Sequence, residues 1–296
     1  MIYIIIPVHN RIKLTINCLD SLQRQTYRSF FTIVVDDGST DGTSNIIKEK
    51  FGNMVEVLKG DGSLWWAGAT NLGVKHILPK AKDEDLILTL NNDLIVKENY
   101  LEMLVECRKK YPYSLIGSLA LYKSTSNKVC FGGNKWNKIT AKSRNNFKDG
   151  EIINFKVIPE VIDTDMLPGR GTLIPIKVFK EIGFFDNSNF PQYAADYDFS
   201  LRAKEKGYRL LVSTKSLVFS EVQETGINFK YDKPGFFNFI KSLYSIKSAN
   251  NLMVRFRFAK RHARYWIVYI IFGTARLIGS FFRNFIKYYF KNLRTG

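Results

Sequence analysis

Apolar and polar positions fall into blocks along the first hundred residues, each block either a short apolar run or a stripe at helical spacing. Ile2–Ile6 is an unbroken apolar run rich in β-branched residues, the pattern of a strand covered on both faces. Behind it Ile12, Leu14, Ile16, Cys18, Leu19 and Leu22 recur so as to line one side of a helix, which predicts a helix over Ile12–Arg24. The alternation continues with a strand at Phe31–Val35, a helix at Thr43–Phe51, a strand at Val55–Leu58 and a helix at Ala67–Ile77. A strand at Leu86–Leu90 and a helix from about Lys97 to Lys110 follow. Repeated strand–helix–strand units predict an α/β fold with a mostly parallel, doubly wound sheet and right-handed crossovers. Three of the strands run into polar clusters: His9-Asn10, Asp36-Asp37 and Asn92-Asp93. Ligands of such sheets sit beyond the carboxyl ends of the strands, so the three clusters are expected on one rim.

Residues Ser114–Ile158 break this rhythm. Short apolar stretches separated by Gly132-Gly133-Asn134 and Lys148-Asp149-Gly150 suggest a β-rich excursion that covers the rim. Regular pattern returns at Asp165–Pro175, then a short helix at Ile176–Ile182 and another from about Asp196 to Lys206. Beyond that the character changes. Trp266–Phe282 is apolar apart from Thr274, Arg276 and Ser280 and contains Gly273 and Gly279. It falls short of a clean span of about 20 apolar residues, and the expectation is a pair of interfacial helices.

Charge sharpens the division. The 296-residue chain has a net charge of +17, enough length for one large α/β domain with an appendage. From Asn228 to Gly296 seven Lys and seven Arg face one acid, Asp232, so most of that charge lies in the tail. A basic tail interleaved with Phe, Tyr and Trp suits an anionic membrane surface or a nucleic acid. No nucleic-acid-binding module accompanies it, so the membrane surface is the expected partner, and no nucleic acid is. The expected division is residues 1–225 for the α/β domain and 226–296 for a basic, aromatic, mainly helical region that associates with membrane or forms a homodimer. Cys18, Cys107 and Cys130 are far apart and form no CxxC pair, which fits a reducing compartment and encodes neither a disulfide framework nor a zinc site. Ile2–Ile6 is too short for a signal peptide, so the expected location is cytoplasmic, peripheral on the inner face of the cell membrane.

Three clusters offer chemistry, each with a plainer structural alternative. Asp36-Asp37-Gly38-Ser39-Thr40-Asp41 can cap the next helix, or one carboxylate can accept a hydrogen bond from a nucleobase N–H. Asp93, after the strand and Asn91-Asn92, can be an N-cap or can bind a hard divalent cation. Asp196-Tyr197-Asp198 opens a helix. Residues at i and i+2 do not share a helix face, so one carboxylate can cap while the other takes a proton from an attacking hydroxyl.

Ile4-Ile5-Ile6-Pro7-Val8-His9-Asn10, Val34-Val35-Asp36-Asp37-Gly38-Ser39-Thr40-Asp41-Gly42, Asn91-Asn92-Asp93 and Asp196-Tyr197-Asp198-Phe199-Ser200-Leu201-Arg202 occur in that order. Together they resemble family 2 glycosyltransferases of the GT-A fold. Gly60-Asp61-Gly62-Ser63-Leu64-Trp65-Trp66-Ala67-Gly68-Ala69-Thr70-Asn71-Leu72-Gly73 is similar to the branch containing bacterial rhamnosyltransferases and other polysaccharide-assembly enzymes, as is Asn250–His262 in the tail. The resemblance spans roughly residues 2–225 and implies a donor-binding half at about 1–112 and an acceptor or catalytic half at about 113–225. It implies an inverting transfer of a sugar from a nucleoside diphosphate, dTDP-rhamnose or a UDP-sugar, to a hydroxyl of a lipid-linked glycan in surface polysaccharide synthesis. Pro7 and His9 would line the nucleobase pocket, and Asp37 would bond the base. Gly68 and Asn71 would let the backbone approach the nucleotide. Asn92 and Asp93 stand at the family's Asp-x-Asp motif, with Asp93 the ligand of a divalent cation (Mn or Mg), and Asp196 matches the catalytic base.

Two departures follow. Asn91 replaces the first acid of Asp-x-Asp, and Ser220-Glu221 stands where many relatives carry a metal-binding His; of these two, Glu221 can ligate. Trp65 and Trp66 are open between core and site. A sugar-phosphate nucleotidyltransferase is a rival reading, but Pro7-Val8-His9-Asn10 is not a Gly-rich basic phosphate loop. A catalytically silent assembly protein of this fold is another, against which Asp93 and Asp196 speak. No GxGxxG follows a strand, which disfavours an NAD-type oxidoreductase.

Overall fold

The structure, a computed structural model, describes residues 1–220 and 235–293. These fall into two compact units. One comprises Met1–Lys135, Asn145–Pro191 and Ala195–Val222; the other comprises Trp136–Arg144, Gln192–Ala194 and Gln223–Gly296. The boundary expected at 225/226 and the metal-ligand candidate Glu221 lie outside the described residues.

The first unit opens with β1 (Ile2–Val8), α1 (Ile12–Gln23), β2 (Phe30–Asp36), α2 (Thr43–Phe51), β3 (Val55–Lys59), α3 (Trp65–Ile77) and β4 (Leu86–Thr89). The alternation read from the sequence is therefore present, with ends shifted by a residue or two. β5 (Leu94–Val96), α4 (Tyr100–Lys110), β6 (Ser114–Tyr122), β7 (Thr125–Phe131), β8 (Asn134–Trp136), β9 (Ser143–Asn145), β10 (Val161–Asp163) and β11 (Thr172–Pro175) follow. α5 (Ile176–Ile182), α6 (Ala195–Glu205) and β12 (Arg209–Ser220) close the series. The main sheet has the order β10-β12-β6-β11-β4-β1-β2-β3, with β5 on β12 and β7 on β6. β4, β1, β2 and β3 run parallel to one another, whereas β11 runs antiparallel to both β4 and β6.

The core follows the strand alternation. Ile2, Ile4 and Ile6 of β1 share a cluster with Val34, with Cys18, Leu19 and Leu22 of α1, and with Leu101 and Leu104 of α4. Ile5, Ile33 and Val35 point the other way and are fully buried too. A strand buried on both faces cannot alternate with polar residues, which is why these strands read as continuous apolar runs. Pro7 is accommodated because β1 pairs with β4 only as far as Ile5↔Thr89, so its missing N–H leaves no gap in that ladder.

One sequence expectation is corrected here. The segment from Ser114 does not begin an excursion: β6 is a nine-residue strand inside the main sheet, between β11 and β12. Gly117, Ser118 and Ala120 dilute its apolar signal, but Ser118 donates to the Gly171 carbonyl oxygen (2.6 Å) and is buried. A polar residue with its bond satisfied sits in a core at little cost, and periodicity alone does not reveal the partner.

In the second unit α7 (Phe236–Tyr244), α8 (Leu252–His262) and α9 (Trp266–Leu293) are helices. Asn251 caps α8, its side chain accepting from the Val254 N–H at 3.0 Å. Phe239 of α7 stacks on Phe281 of α9, ring centroids 4.4 Å apart, and Trp136 packs edge-on against Phe258 and Tyr269. The expected pair of interfacial helices within Trp266–Phe282 is instead part of one 28-residue helix. Glycine costs a helix about 1 kcal/mol and does not break it as proline does, so α9 runs through Gly273 and Gly279. Its Trp266–Ile286 stretch is long and apolar enough to cross a membrane by length and composition.

Candidate active site

The rim is built by loops tied to one another. After β1 the chain turns through Asn10 and Arg11, both at positive φ (58° and 64°). Asn10 N–H donates to Ser39 Oγ (2.7 Å), and Asn10 Oδ1 accepts from Thr40 N–H (2.9 Å). Asn tolerates this left-handed geometry better than most residues, and its side chain fastens the turn to the β2–α2 loop. His9 Nδ1 lies 2.6 Å from the Asp37 carbonyl oxygen. A carbonyl only accepts, so Nδ1 carries the hydrogen and the exposed ring is held by one edge.

Asp36 and Asp37 divide the labour of the β2 end. Asp36 accepts from Ser39 N–H (2.9 Å) and from the Ser44 hydroxyl, which ties the β2–α2 loop to the first turn of α2. Asp37 is buried and reaches across to the β3–α3 loop, where Oδ1 accepts from Gly62 N–H (2.8 Å) and Oδ2 from Trp65 N–H (3.0 Å). Gly38 and Gly62 make the close approach possible: both have positive φ, and a Cβ on Gly38 would lie 2.8 Å from Gly62 Cα. The grip ends at a strained residue, since Trp65 has φ +56° and a bulky side chain there is costly. Asp37 therefore holds the loop that opens α3, a role its sequence position did not disclose.

Gly68 and Asn71 lie in the first and second turns of α3. Both are buried. Asn71 pairs with the backbone of Phe185, its Nδ2 donating to the carbonyl oxygen (2.7 Å) and its Oδ1 accepting from the N–H (3.1 Å). This amide clamps α3 to the segment before α6.

At the end of β4 each residue of Asn91-Asn92-Asp93 has its own place. Asn91 Oδ1 accepts from Trp66 Nε1 (3.1 Å), and Asn92 Nδ2 donates to Thr15 Oγ1 (3.0 Å). Asp93 is buried and is followed at once by β5, whose Leu94 is in register with Ser220 at the end of β12. The residue standing where the resemblance would put a histidine is thus cross-strand from the neighbour of Asp93. Among the described residues no three His, Cys, Asp or Glu side chains converge. The described side chains do not make a metal site by themselves; Asp93 is one hard oxygen donor, suited to a divalent ion whose other ligands come from a diphosphate and water.

The far side of the rim is α6. Asp196 lies in its first turn, where Oδ2 accepts from Gly169 N–H (2.9 Å) and Oδ1 from Tyr197 N–H (2.9 Å). Behind it sit Leu115, Leu167, Ile174, Phe185 and Phe199. Burial pushes the Asp196 carboxyl above its ordinary pKa, while the Gly169 and Tyr197 N–H groups and the nearby Arg170 pull the other way. Asp198 differs entirely: its side chain is fully buried and bonded to Arg202 Nε (2.9 Å), whose guanidinium also donates to the carbonyl oxygens of Ile182 (2.6 Å) and Phe184 (2.7 Å). Of the two carboxylates Asp198 is the internal strut and Asp196 the one not committed to an arginine.

Trp66 joins the two ends. Its Nε1 holds Asn91, next to Asn92-Asp93, while its ring lies against Gly169, where any Cβ would overlap the indole. Gly169 in turn donates to Asp196. Trp66 thus forms a wall between Asn91-Asn92-Asp93 and Asp196, packed edge-on against Phe185 (5.2 Å between centroids). Arg170, absent from the sequence reading, brings positive charge near Asp196 and Tyr197 and bonds Cys130 Sγ (3.6 Å). Its signal was an arginine between two glycines in Pro168-Gly169-Arg170-Gly171, which becomes meaningful only once α6 is seen beside it.

Residues 3–159 match Glycosyl transferase family 2, and residues 86–293 match Glycosyl transferase family group 2. Over 134 residues the chain is 31% identical to glycosyltransferase GlyG of Streptococcus pneumoniae, covering 44% of this chain and 43% of that protein. Over 205 residues it is 27% identical to an uncharacterized glycosyltransferase of Rickettsia typhi, covering 67% and 57%. Among solved structures it resembles GalNAc-T7 with UDP, GalNAc and Mn2+ (TM-score 0.59, 14% identity, 74% of this chain and 43% of that one). It also resembles S. aureus TarS 1-349 in complex with UDP (TM-score 0.51, 16% identity, 74% and 60%). The chain spans less than two thirds of the length of each of these proteins. The structural likeness bears out the GT-A fold.

Proposed function

Because the chain belongs to glycosyl transferase family 2, we propose that it catalyses an inverting transfer of a sugar from a nucleoside diphosphate to an acceptor hydroxyl, with Asp196 as base. The observation that carries this reading is the division of labour between Asp196 and Asp198. One carboxylate is spent on Arg202 inside the protein; the other stands at the rim with a raised pKa. One base and stabilisation of the leaving group suffice for a single displacement with inversion through an oxocarbenium-like state. Asp196 takes the acceptor proton as the oxygen attacks, and its hydrogen bonds from Gly169 and Tyr197 fix which lone pair faces the acceptor. His9 and Pro7 flank the base, and Asp37 orders the loop beneath it while its remaining lone pairs face the nucleobase N–H. A divalent ion, Mn2+ or Mg2+, held by Asp93 and the donor's diphosphate would neutralise charge on the leaving group. The donor is dTDP-rhamnose or a UDP-sugar, and the acceptor a lipid-linked glycan in surface polysaccharide assembly.

The test is a thermal-shift panel of UDP, dTDP, GDP and ADP, each with and without Mn2+. Ligands that bind the folded state raise its melting temperature by mass action. One pyrimidine diphosphate is expected to stabilise the protein, more strongly with Mn2+. If none of the four shifts the transition, the donor reading fails.

We also propose that the protein is cytoplasmic and peripheral on the inner membrane face. On α9 the exposed Ile267, Ile271, Ile278 and Phe282 share one side, and the tail is basic. Each Lys or Arg near an anionic surface contributes about 1 kcal/mol, and the apolar face adds burial that salt does not remove. The full chain is expected to float with anionic vesicles at low salt, and a chain ending at Thr225 to stay in solution. A full chain that ignores such vesicles assigns α9 to an assembly contact, the homodimer expected above.

A further inference from the structure

The second unit contains a half-buried arginine that no carboxylate among the described residues of that unit neutralises. Arg255 of α8 has its Nε buried and without a hydrogen-bond partner. Burial lowers its pKa, and Arg276 of α9 adds repulsion. Across residues 136–144 and 235–293 there is no Asp or Glu at all. No carboxylate among the described residues of this unit is available to the pair.

The surroundings are polar in one sense only. Tyr269, Gly273 and Arg276 lie at i, i+4 and i+7 on α9, on the side opposite the exposed Ile267, Ile271 and Ile278. Tyr269 Oη accepts from Trp136 Nε1 (3.2 Å), which leaves its own hydrogen for donation. Arg276 bonds the Thr140 carbonyl oxygen with one Nη and is otherwise exposed. Gly273 leaves room beside Arg255, since a Cβ there would lie 3.9 Å from Nη1. The Arg255 and Arg276 guanidinium groups and the Tyr269 hydroxyl are thus close enough to interact electrostatically, and each has hydrogens to donate. Arg presents a rigid fork of N–H groups that matches phosphate oxygens, and a buried charge persists when it is paired.

We infer that Arg255, Arg276 and Tyr269 form a binding site for a phosphate or diphosphate group, separate from the donor site of the first unit. Arg276 is its solvent-facing edge and Arg255 its deep end. The group belongs either to a bilayer headgroup or to the diphosphate of an isoprenoid-linked molecule; the recognition chemistry is the same.

The experiment titrates inorganic diphosphate, then geranyl diphosphate, into the full chain by calorimetry with UDP present in excess, so that the donor site is already filled. Arg276→Gln and Tyr269→Phe are compared with the unchanged chain, and Arg255→Lys is added because Arg255→Gln risks the fold. Arg276→Gln is expected to weaken diphosphate binding about tenfold or more and Tyr269→Phe severalfold, with UDP affinity measured separately and unchanged. Unaltered UDP affinity keeps this result apart from any failure of the donor reading. Flotation with phosphatidylcholine vesicles, with and without phosphatidylglycerol, separates the sources. Parallel loss of anionic-vesicle binding in Arg276→Gln assigns the group to a headgroup, and retained vesicle binding assigns it to the isoprenoid-linked diphosphate. Equal diphosphate affinity in all four proteins, or none in the unchanged chain, overturns the site.

Discussion

Asp196→Asn is expected to bind the nucleoside diphosphate as the unchanged protein does while turnover falls by roughly 10²–10⁴, the usual contribution of a positioned general base. The substitution keeps the size of the side chain, and its oxygen can still accept one of the two N–H groups, from Gly169 or Tyr197. What it removes is the capacity to take a proton. Asp198→Asn is expected to behave in the opposite way. Its loss leaves Arg202 without a buried partner, which costs about 3–5 kcal/mol of stability, read as a lower urea midpoint, with much of the turnover per folded molecule retained. A stable, inactive Asp198→Asn beside an active Asp196→Asn would reverse the two roles. The pH dependence gives a second readout. Burial raises the Asp196 pKa, so the acid limb of kcat/KM is expected above the ordinary aspartate value of about 3.9, with activity lost as pH falls through it. Stability follows the other sign. The folded protein holds this proton more tightly than the unfolded chain, so the contribution is full below the unfolded pKa and is lost as pH rises through the folded one.

The second large effect belongs to Asp93. Asp93→Ala is expected to lower nucleoside-diphosphate affinity by some thirtyfold to several-thousandfold, the consequence of about 2–5 kcal/mol lost when one partner of a buried charged contact is removed. The fold should persist, because the neighbouring side chains are anchored independently, Asn91 by Trp66 and Asn92 by Thr15. Chelating the metal discriminates the cause. In the unchanged protein EDTA should weaken nucleotide binding, and in Asp93→Ala it should make little further difference. Calorimetry showing the same Mn2+ dependence in both proteins would place the ion on other ligands.

The strand ends were legible in the sequence because each apolar run stops where a polar cluster starts, and both features are local. Asp37, Asp93 and Asp196 stood out as candidates for the same reason. What each carboxylate touches was not. Asp37 spends both oxygens on a loop 25 and 28 residues away, and the clamp between Asn71 and Phe185 spans 114. Such partners are decided by packing, which leaves no periodicity to read. Asp196 and Asp198 looked alike as neighbours in the chain and separated only when Arg202 was seen reaching the one that is fully buried. β6 was misread because Gly117, Ser118 and Ala120 are small, and small residues in a central strand signal close neighbours more than exposure. The continuity of α9 was missed because the apolar run alone was read as too short for one long element, whereas the helix also takes in the mixed residues that follow it.

The contact between Trp66 and Gly169 has an evolutionary side. The two positions lie 103 residues apart yet share one volume, because any side chain at 169 would occupy space the indole already fills. Neither can drift alone. A larger residue at 169 becomes admissible only after the ring at 66 has shrunk, and a shrunken ring gives up its bond to Asn91. In descendants of this chain the three positions are bound to change together or stay fixed, and a swap of bulk between 66 and 169 is a route by which the surroundings of Asp196 can be reshaped without any change in the acids.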